Sequence, residues 1–203
     1  LSAASSGNPL VLGVALQSLL EEHRAHSLSA LLPALDAGAP LPDLAGAPAL
    51  RELVLGRLEH LPAPARTLLE QLAVIGRPVS LDLVEQLADA GALEAAQMLI
   101  ARQYLAEADD GRLAFRHDLV RSIISAALSS PQRRLLHRRA AEAIAELHGE
   151  NPARAAELAF HFEQAGRADA EVLRYAALAG DHARRSFGYR AALAHYDSAL
   201  RAA

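Results

Sequence analysis

The sequence predicts a mainly α-helical protein with one small β-hairpin. Hydrophobic residues make up 52% of the 203-residue chain, aromatic residues only 4%, and tryptophan is absent. This composition, led by alanine and leucine, is typical of helices that pack closely. Strand signals concentrate at one place, where Asp110-Gly111 forms a turn between two short apolar segments. The length allows one large domain or two small ones.

The cysteine count and the charges exclude several kinds of function. The chain has no cysteine, which excludes disulfide bonds, thiolate metal ligands and cysteine nucleophiles. All 20 basic residues are arginine, which excludes chemistry that depends on a lysine amine. The net charge of -4 offers nucleic acid no general attraction. The longest apolar run, at 10–16, is too short to cross a bilayer, so we expect a cytoplasmic protein with no membrane partner.

Residues 1–46 are predicted to form a helix followed by a linker. Leucines recur at helical spacing between Pro9 and His23, after a turn and cap at Gly7-Asn8. From 33 to 48 the chain becomes rich in proline, glycine, alanine and aspartate, and the periodicity is lost. The first residue is leucine and not methionine, from which we expect the chain to be a piece of a longer protein.

Residues 47–130 are predicted to form a winged-helix domain. Short turns separate four helical segments, and the Asp110-Gly111 hairpin and one further helix follow them. Three helices followed by a hairpin is the element order of a winged helix. The predicted elements are helices at 50–61, 64–75, 81–90 and 93–102, strands at 104–107 and 113–115, and a helix at 118–128.

Residues 131–203 are predicted to be helical throughout and to form a tetratricopeptide-like superhelical array. Breaks are expected near 149–152, at Gly166-Arg167 and at Gly188. Small residues recur where helices would approach closely, and aromatic side chains are expected to fill the gaps between helices. These aromatic residues are Phe160, Phe162, Tyr175, Tyr189 and Tyr196. The segment 176–203 resembles one tetratricopeptide unit, which the end of the chain is expected to interrupt.

No independent active site is predicted. The chain contains no glycine-rich phosphate loop with lysine, no His-Glu-x-x-His pair and no Gly-x-Ser-x-Gly elbow, so we expect it not to be an enzyme. His23 and His26 lie one turn apart, where a solvated or capping role is favoured over a pair of metal ligands. His161 is favoured as a packed histidine over a catalytic one.

Two segments are candidates for contacts with nucleic acid. The densest basic cluster lies at 133–139, but a solvated helix face with ion pairs to Glu142 and Glu146 is favoured over phosphate binding. The predicted recognition helix of the winged helix, Leu93 to Arg102, is mostly apolar and offers few phosphate contacts. We therefore do not expect the winged helix to read DNA directly.

Four motifs occur in an order that indicates a family. They are Gly7-Asn8-Pro9-Leu10 at the start of a helix, LRELVLGRL at 50–58, FRHDLVR at 115–121 and RRLLHRRAA at 133–141. Together they resemble the C-terminal part of the ATPase module of STAND-class regulators, especially bacterial LuxR-type multidomain transcriptional activators. In those proteins a P-loop domain precedes a helical lid, a winged helix and a tetratricopeptide-like superhelix. The resemblance covers nearly the whole sequence and implies that 1–46 is the remnant of the lid.

The resemblance implies roles for three residues. Pro9 would pack on the adenine base of a bound nucleotide, although a proline in the first helical turn needs no such partner. His117 would contact the β-phosphate of ADP, and Asp118 would cap the helix that follows. An ordinary helix-capping pair is the alternative for both. ATP or ADP would be bound only in the full-length protein, because the P-loop, the Walker-B acid and the sensor arginine are missing from this chain.

The resemblance also implies a regulatory role in signal transduction and transcription. The winged helix would hold an ADP-bound off state against a missing N-terminal nucleotide-binding domain, while the helical array would receive an inducer or partner protein. DNA would be bound only by a domain outside this chain. The alternatives are a stand-alone scaffold whose helix pairs bind a protein, and a winged helix that binds DNA directly.

Overall fold

A computed structural model describes residues 48–88, 91–166 and 170–203 of the chain. The predicted N-terminal helix and linker, and with them Pro9, His23 and His26, lie outside these ranges. Within the described ranges the protein is mainly helical and contains one small antiparallel hairpin. The predicted fold class is confirmed at this level.

Nine helices and two strands form within the described ranges. The helices are α1 (Pro48–Glu59), α2 (Ala63–Ile75), α3 (Leu81–Leu87), α4 (Ala92–Ala101), α5 (Asp118–Ala127), α6 (Ser130–His148), α7 (Pro152–Gln164), α8 (Ala170–Arg185) and α9 (Tyr189–Ala202). The strands β1 (Leu105–Glu107) and β2 (Leu113–Phe115) lie between α4 and α5. The helices predicted within the described ranges are confirmed, with ends that differ by a few residues.

The helix α2 forms the centre of the first half of the fold. Gly76 follows the last residue of α2 and caps the helix. Its φ of 73° is a left-handed conformation that glycine adopts without strain. The N–H of Gly76 donates to the carbonyl of Leu72 at 3.0 Å. Leu68 and Leu69 are almost fully buried, and α2 packs against α4, α5 and α6. Burying one leucine side chain contributes roughly 1.5–3 kcal/mol, so these contacts are a large part of the core energy.

A bridge that the sequence did not predict joins the hairpin to the helices. β1 and β2 pair antiparallel, with Leu105 opposite Phe115. Val79, between α2 and α3, pairs with Leu113, and each N–H donates to the other residue's carbonyl at 2.8 Å. Both residues are buried, so the hairpin and the helices share one core. A bridge of one residue is too short to show hydrophobic periodicity, so it cannot be predicted from the sequence pattern.

The helix α6 connects the first half of the protein with the last three helices. It begins with a capping box, in which the side chains of Ser129 and Gln132 accept from each other's backbone N–H groups. It packs against α2 and α3 and also against α7. Ala140 and Ile144 are buried in the core shared by both halves, and Leu136 packs in a smaller cluster with Val74 and Leu128.

The last helices form a linear stack. α7 packs on α6, α8 packs on α7, and α9 packs on α8. The small residues expected at close approaches are buried, among them Ala155, Ala176 and Ala192. Phe162 and Tyr175 lie between α7 and α8 as stacked rings whose centroids are 5.6 Å apart, which confirms the gap-filling role predicted for these two.

The same prediction is wrong for Phe160 and Tyr189. Their side chains are 50% and 61% exposed. Phe160 lies two residues before the buried Phe162, which places it about 200° away around α7. Tyr189 is the first residue of α9, where its ring meets the edge of the exposed Phe187. Aromatic content alone does not tell which face of a helix is buried.

The closest approach of α8 and α9 depends on a glycine. A Cβ atom added at Gly180 would lie 2.5 Å from the ring of Tyr196, closer than packed atoms can come. The Tyr196 hydroxyl donates to the Asp181 carboxylate at 2.7 Å, which holds the ring over the glycine. Gly180 was predicted as part of a repeat unit, and the contact gives the physical reason for its size.

We expect Gly180→Ala to lower the free energy of unfolding by about 1–3 kcal/mol, because the added methyl group must displace the Tyr196 ring. Gly56 in α1 is a matched control, since a Cβ there meets nothing within 4 Å. Gly56→Ala should raise the stability by roughly 0.5–1 kcal/mol through helix propensity. Urea unfolding followed by circular dichroism measures both. Equal effects of the two substitutions would contradict the close approach.

Candidate functional site

His117 lies where the hairpin meets α5. Its backbone is extended, with φ -136° and ψ 118°, and it occupies the N-cap position of the helix. The preceding residue is tied to the hairpin, because the Arg116 N–H donates to the Tyr104 carbonyl at 2.9 Å. The His117 carbonyl accepts from the Val120 N–H at 3.1 Å, which begins the helix. The backbone is therefore held on both sides of the imidazole.

The imidazole of His117 is half-buried, and one of its ring nitrogens makes no hydrogen bond to the described residues. Its Nδ1 is buried and has no hydrogen-bond partner among the described residues. Burial, and then the neighbouring charge of Arg116, lower the pKa of the ring below its usual value near 6.5. The ring is thus neutral at neutral pH. A buried ring nitrogen without a partner is costly unless a ligand or water supplies one.

The capping role expected for Asp118 is wrong. Asp118 is the first residue of α5, and no side-chain hydrogen bond caps this helix. Capping requires a side chain on the extended residue before the first turn, and His117 occupies that position. The Asp118 carboxylate accepts from the Arg121 Nε at 2.6 Å instead, and that hydrogen bond lowers the pKa of Asp118. The carboxylate fixes Arg121 and does not hold the turn.

Two arginines and one aspartate lie near the N-terminus of α5 in the chain. The partly buried Arg121 side chain lies against the turn after α2. Its Nη1 is 3.6 Å from the position that a Cβ atom would take on Gly76. Arg116 lies on the other side of His117 in the chain. The first N–H groups of a helix and its dipole also favour an anion. Arg116 adds positive charge beside His117, whereas Arg121 is paired with the Asp118 carboxylate. Pro9 lies outside the described residues.

The predicted recognition helix does not present a cationic face. Leu93 and Ile100 are 57% and 38% exposed on α4, and Glu94 and Gln97 are exposed beside them. Arg102, just beyond the helix, donates to the His60 carbonyl at 3.3 Å. Phosphate contacts depend mainly on arginine and lysine, so this face of α4 is poorly suited to DNA.

The basic cluster of α6 is only partly the solvated face that was expected. The Arg138 Nε lies 3.9 Å from the Glu142 carboxylate, as expected, whereas within the described residues no ion pair involves Glu146. Arg133 donates to the Ser125 carbonyl at 3.0 Å. His137, in the middle of the cluster, is only 6% exposed. It faces α7, so the cluster is not one continuous solvated face.

His137 and His161 form a buried pair between α6 and α7. Their Nδ1 atoms are 2.9 Å apart, and His161 is 1% exposed, which confirms that it is packed. Burial, then the charges of His161 and Arg133, lower the pKa of His137 to about 4. Burial lowers the pKa of His161 to about 4. Of the smaller effects, the charge of Glu157 raises this pKa and the charge of Arg77 lowers it. The two histidines are 24 residues apart in the chain, and no sequence pattern predicted that they would pair.

A second unpredicted contact crosses the two halves of the protein. Arg77, in the turn after α2, donates from Nε to the Glu157 carboxylate of α7 at 2.5 Å. Arg154 pairs with the other oxygen of the same carboxylate at 3.2 Å. Arg77 and Glu157 are 80 residues apart, so only the tertiary fold brings them together.

A cavity of about 290 Å³ lies between α2, the end of α3 and α6. The buried Gln71 side chain lines it, donating from Nε2 to the Leu87 carbonyl at 3.1 Å. Its Oε1 has no partner among the described residues. Thr67 and Arg139 also line the cavity. Sequence patterns gave no indication of it, because its walls come from three separate segments.

Metal and membrane signals are not found in the described ranges. No three histidine, aspartate or glutamate side chains come together there as metal ligands. Across the same residues, no helix combines the length and the apolar character needed to traverse a bilayer.

Comparisons with known proteins add no relative. No protein-family model, curated protein or solved structure matches the chain. An interpretation of function therefore depends on the four sequence motifs and on the geometry around His117.

We expect the pKa of His117 to lie below 6.5, because its ring is half-buried beside Arg116. Nitrogen–proton correlation NMR across a pH titration measures this value directly. Arg116→Gln should raise the pKa without restoring it fully, since burial is the larger cause. Inorganic phosphate should also raise it if the anion binds beside the ring, because a bound anion favours the charged imidazole. A pKa at or above 6.5 in the unaltered chain would contradict this description.

Proposed function

We propose that this chain is the regulatory part of a larger ATP-dependent signal-transduction protein that controls transcription. In this proposal residues 47–130 are a winged helix that holds the nucleotide-bound off state, and 131–203 are helical repeats that sense an inducer or partner. The observation that carries the proposal is His117 at the N-terminus of α5, whose Nδ1 has no hydrogen-bond partner in the part of the chain that the structure describes. The motif order at 7–10, 50–58, 115–121 and 133–141 supports it.

The order of elements supports the winged helix. The helices α2, α3 and α4 precede the hairpin, and the Val79–Leu113 bridge adds a short third edge to β2. A winged helix is built from three helices and a small sheet of this kind. The apolar face of α4 argues against direct DNA reading, so we assign any DNA contact to a domain outside this chain.

The surroundings of His117 support a phosphate contact. The fixed backbone, the ring nitrogen that has no partner among the described residues, and the charge of Arg116 would together hold an anion at this position, with Arg121 paired to Asp118. In the proposal His117 binds the β-phosphate of ADP, while Asp118 keeps Arg121 beside it. Pro9 packs on the adenine base. The nucleotide is bound mainly by a separate nucleotide-binding domain, and this chain is not itself an enzyme.

The linear stack α6–α9 supports a role in binding a protein or an inducer. Stacked helix pairs present extended surfaces suited to partners. Large apolar side chains are exposed at and beside α9, namely Phe187, Tyr189, Leu193 and Leu200, and exposed apolar groups in such a cluster mark interaction surfaces. This feature also favours the second candidate function, a scaffold without any nucleotide. We place either protein in the cytoplasm.

The test is His117→Ala in the full-length protein that this chain belongs to. Loss of the ring should release co-purified ADP and raise basal activity, because the off state loses its contact from the winged helix to the phosphate. ADP that remains bound after purification is measured by chromatography, and activity by transcription of a reporter. His182→Ala is the matched control, since His182 is an exposed histidine on α8 far from α5 in the chain.

Unchanged ADP and unchanged activity in the His117→Ala protein would overturn the nucleotide contact. The same result, together with an upstream sequence that lacks a phosphate-binding loop, would favour the scaffold. Salt-sensitive binding of this chain to duplex DNA would instead favour a direct DNA-binding winged helix, because phosphate contacts weaken as salt increases.

A further inference from the structure

The contact between α6 and α7 contains a polar pair that is unusual for a helix interface. His137 and His161 face each other at 2.9 Å between their Nδ1 atoms, with ring centroids 5.1 Å apart. One ring must carry its proton on Nδ1 and donate it, and the other must accept with its Nδ1 lone pair. Both rings are neutral in this arrangement.

This hydrogen bond does not survive protonation of the accepting nitrogen. A proton added to the acceptor's Nδ1 removes its lone pair, so that two N–H groups point at each other. A proton added to the other nitrogen of the donor ring leaves a buried cation. Burial of a charge without a partner is strongly unfavourable, so protons drive the rings toward water.

The charged groups around the pair offer little compensation. Arg133 of α6 and Arg77 of the turn after α2 both disfavour a cationic ring. Glu157 of α7 favours it at His161, but its carboxylate is already paired with two arginines, Arg77 and Arg154. No group of α3 or α8 within the described residues shifts the pKa of either ring.

We propose that the His137–His161 pair is an acid-sensitive latch whose opening separates α7 from α6. Because α7, α8 and α9 stack in a line, this separation would release the last three helices from the first half together. The apolar contacts between α6 and α7, which belong to one continuous core, and the Arg77–Glu157 ion pair would have to yield as well. The proposal concerns the fold of this chain and does not depend on the proposed nucleotide contact.

The half-exposed Phe160 limits the access of water to the His137–His161 pair. Its ring meets His137 and His161 edge-on, with centroids 5.6 Å and 5.3 Å away. It therefore covers the pair on one side without belonging to the core. Removing it with Phe160→Ala should admit water and raise the pKa of both rings in the closed state toward 6.5, which reduces the pH dependence of opening without disturbing the main packing.

The sign of the pH effect follows from the lowered pKa values of both rings, about 4 in the folded protein against 6.5 for a free imidazole. The contribution of the latch to stability is complete above pH 6.5 and declines as the pH falls toward 4, because the open state binds protons more tightly. Each ring changes the opening equilibrium by up to about tenfold per pH unit in this window.

Hydrogen exchange of backbone amides in this chain, corrected for intrinsic rates, tests the latch helix by helix. Between about pH 7.5 and about pH 5.5, protection in α7, α8 and α9 should fall by roughly a hundredfold more than in α2. Phe160→Ala should show a smaller loss over the same pH range, because the closed and open states of this variant differ less in proton affinity. The double variant His137→Leu, His161→Leu replaces both partners by apolar groups of similar size and should lose the pH dependence. His182→Gln is the control and should keep it.

Three results would overturn the proposal. The first is an equal loss of protection in α2 and in the last three helices. The second is a pH dependence that persists in the double leucine variant. If that variant does not fold, an NMR titration of the unaltered chain decides: two rings that titrate near 6.5, with no accompanying change in the α6–α7 contacts, would overturn the latch.

Discussion

The burial of α6 on two sides holds the described part of the protein together. One side meets α2 and α3, and another meets α7. Ala140 and Ala141 are fully buried, which lets neighbouring helices approach the α6 backbone closely. Because α7, α8 and α9 follow one another in a stack, their position relative to the hairpin and α2 is set by the interface between α6 and α7 together with the Arg77–Glu157 contact.

That interface combines apolar core contacts with a buried polar pair. Buried polar groups must find partners, and His137 and His161 satisfy each other only while both remain neutral. The Arg77–Glu157 contact ties the same helix to the turn after α2 with a charged pair. The junction between the two halves therefore depends on protonation in a way that the leucine-rich core around α2 does not.

The histidines of this chain illustrate how environment decides the use of one side chain. His161 is buried, and its Nδ1 forms a hydrogen bond with the imidazole of His137. His117 is held by its backbone at the start of α5, and its Nδ1 has no partner within the described residues. The first arrangement stabilises a helix contact, and the second leaves a ring nitrogen for a ligand. Both rings are neutral at neutral pH for the same reason, which is burial.

The sequence by itself determined the helices, the hairpin and the position of His117 before α5, because these depend on local periodicity and turn residues. It did not determine the Val79–Leu113 bridge, the Arg77–Glu157 pair or the pairing of His137 with His161. These contacts join residues from different elements, and no local pattern encodes them. The capping role of Asp118 failed because Asp118 is the first residue of α5 and not the residue before it, and its carboxylate pairs with Arg121 instead. Only the tertiary structure decided which faces of the helices meet, because burial depends on every neighbouring element at once.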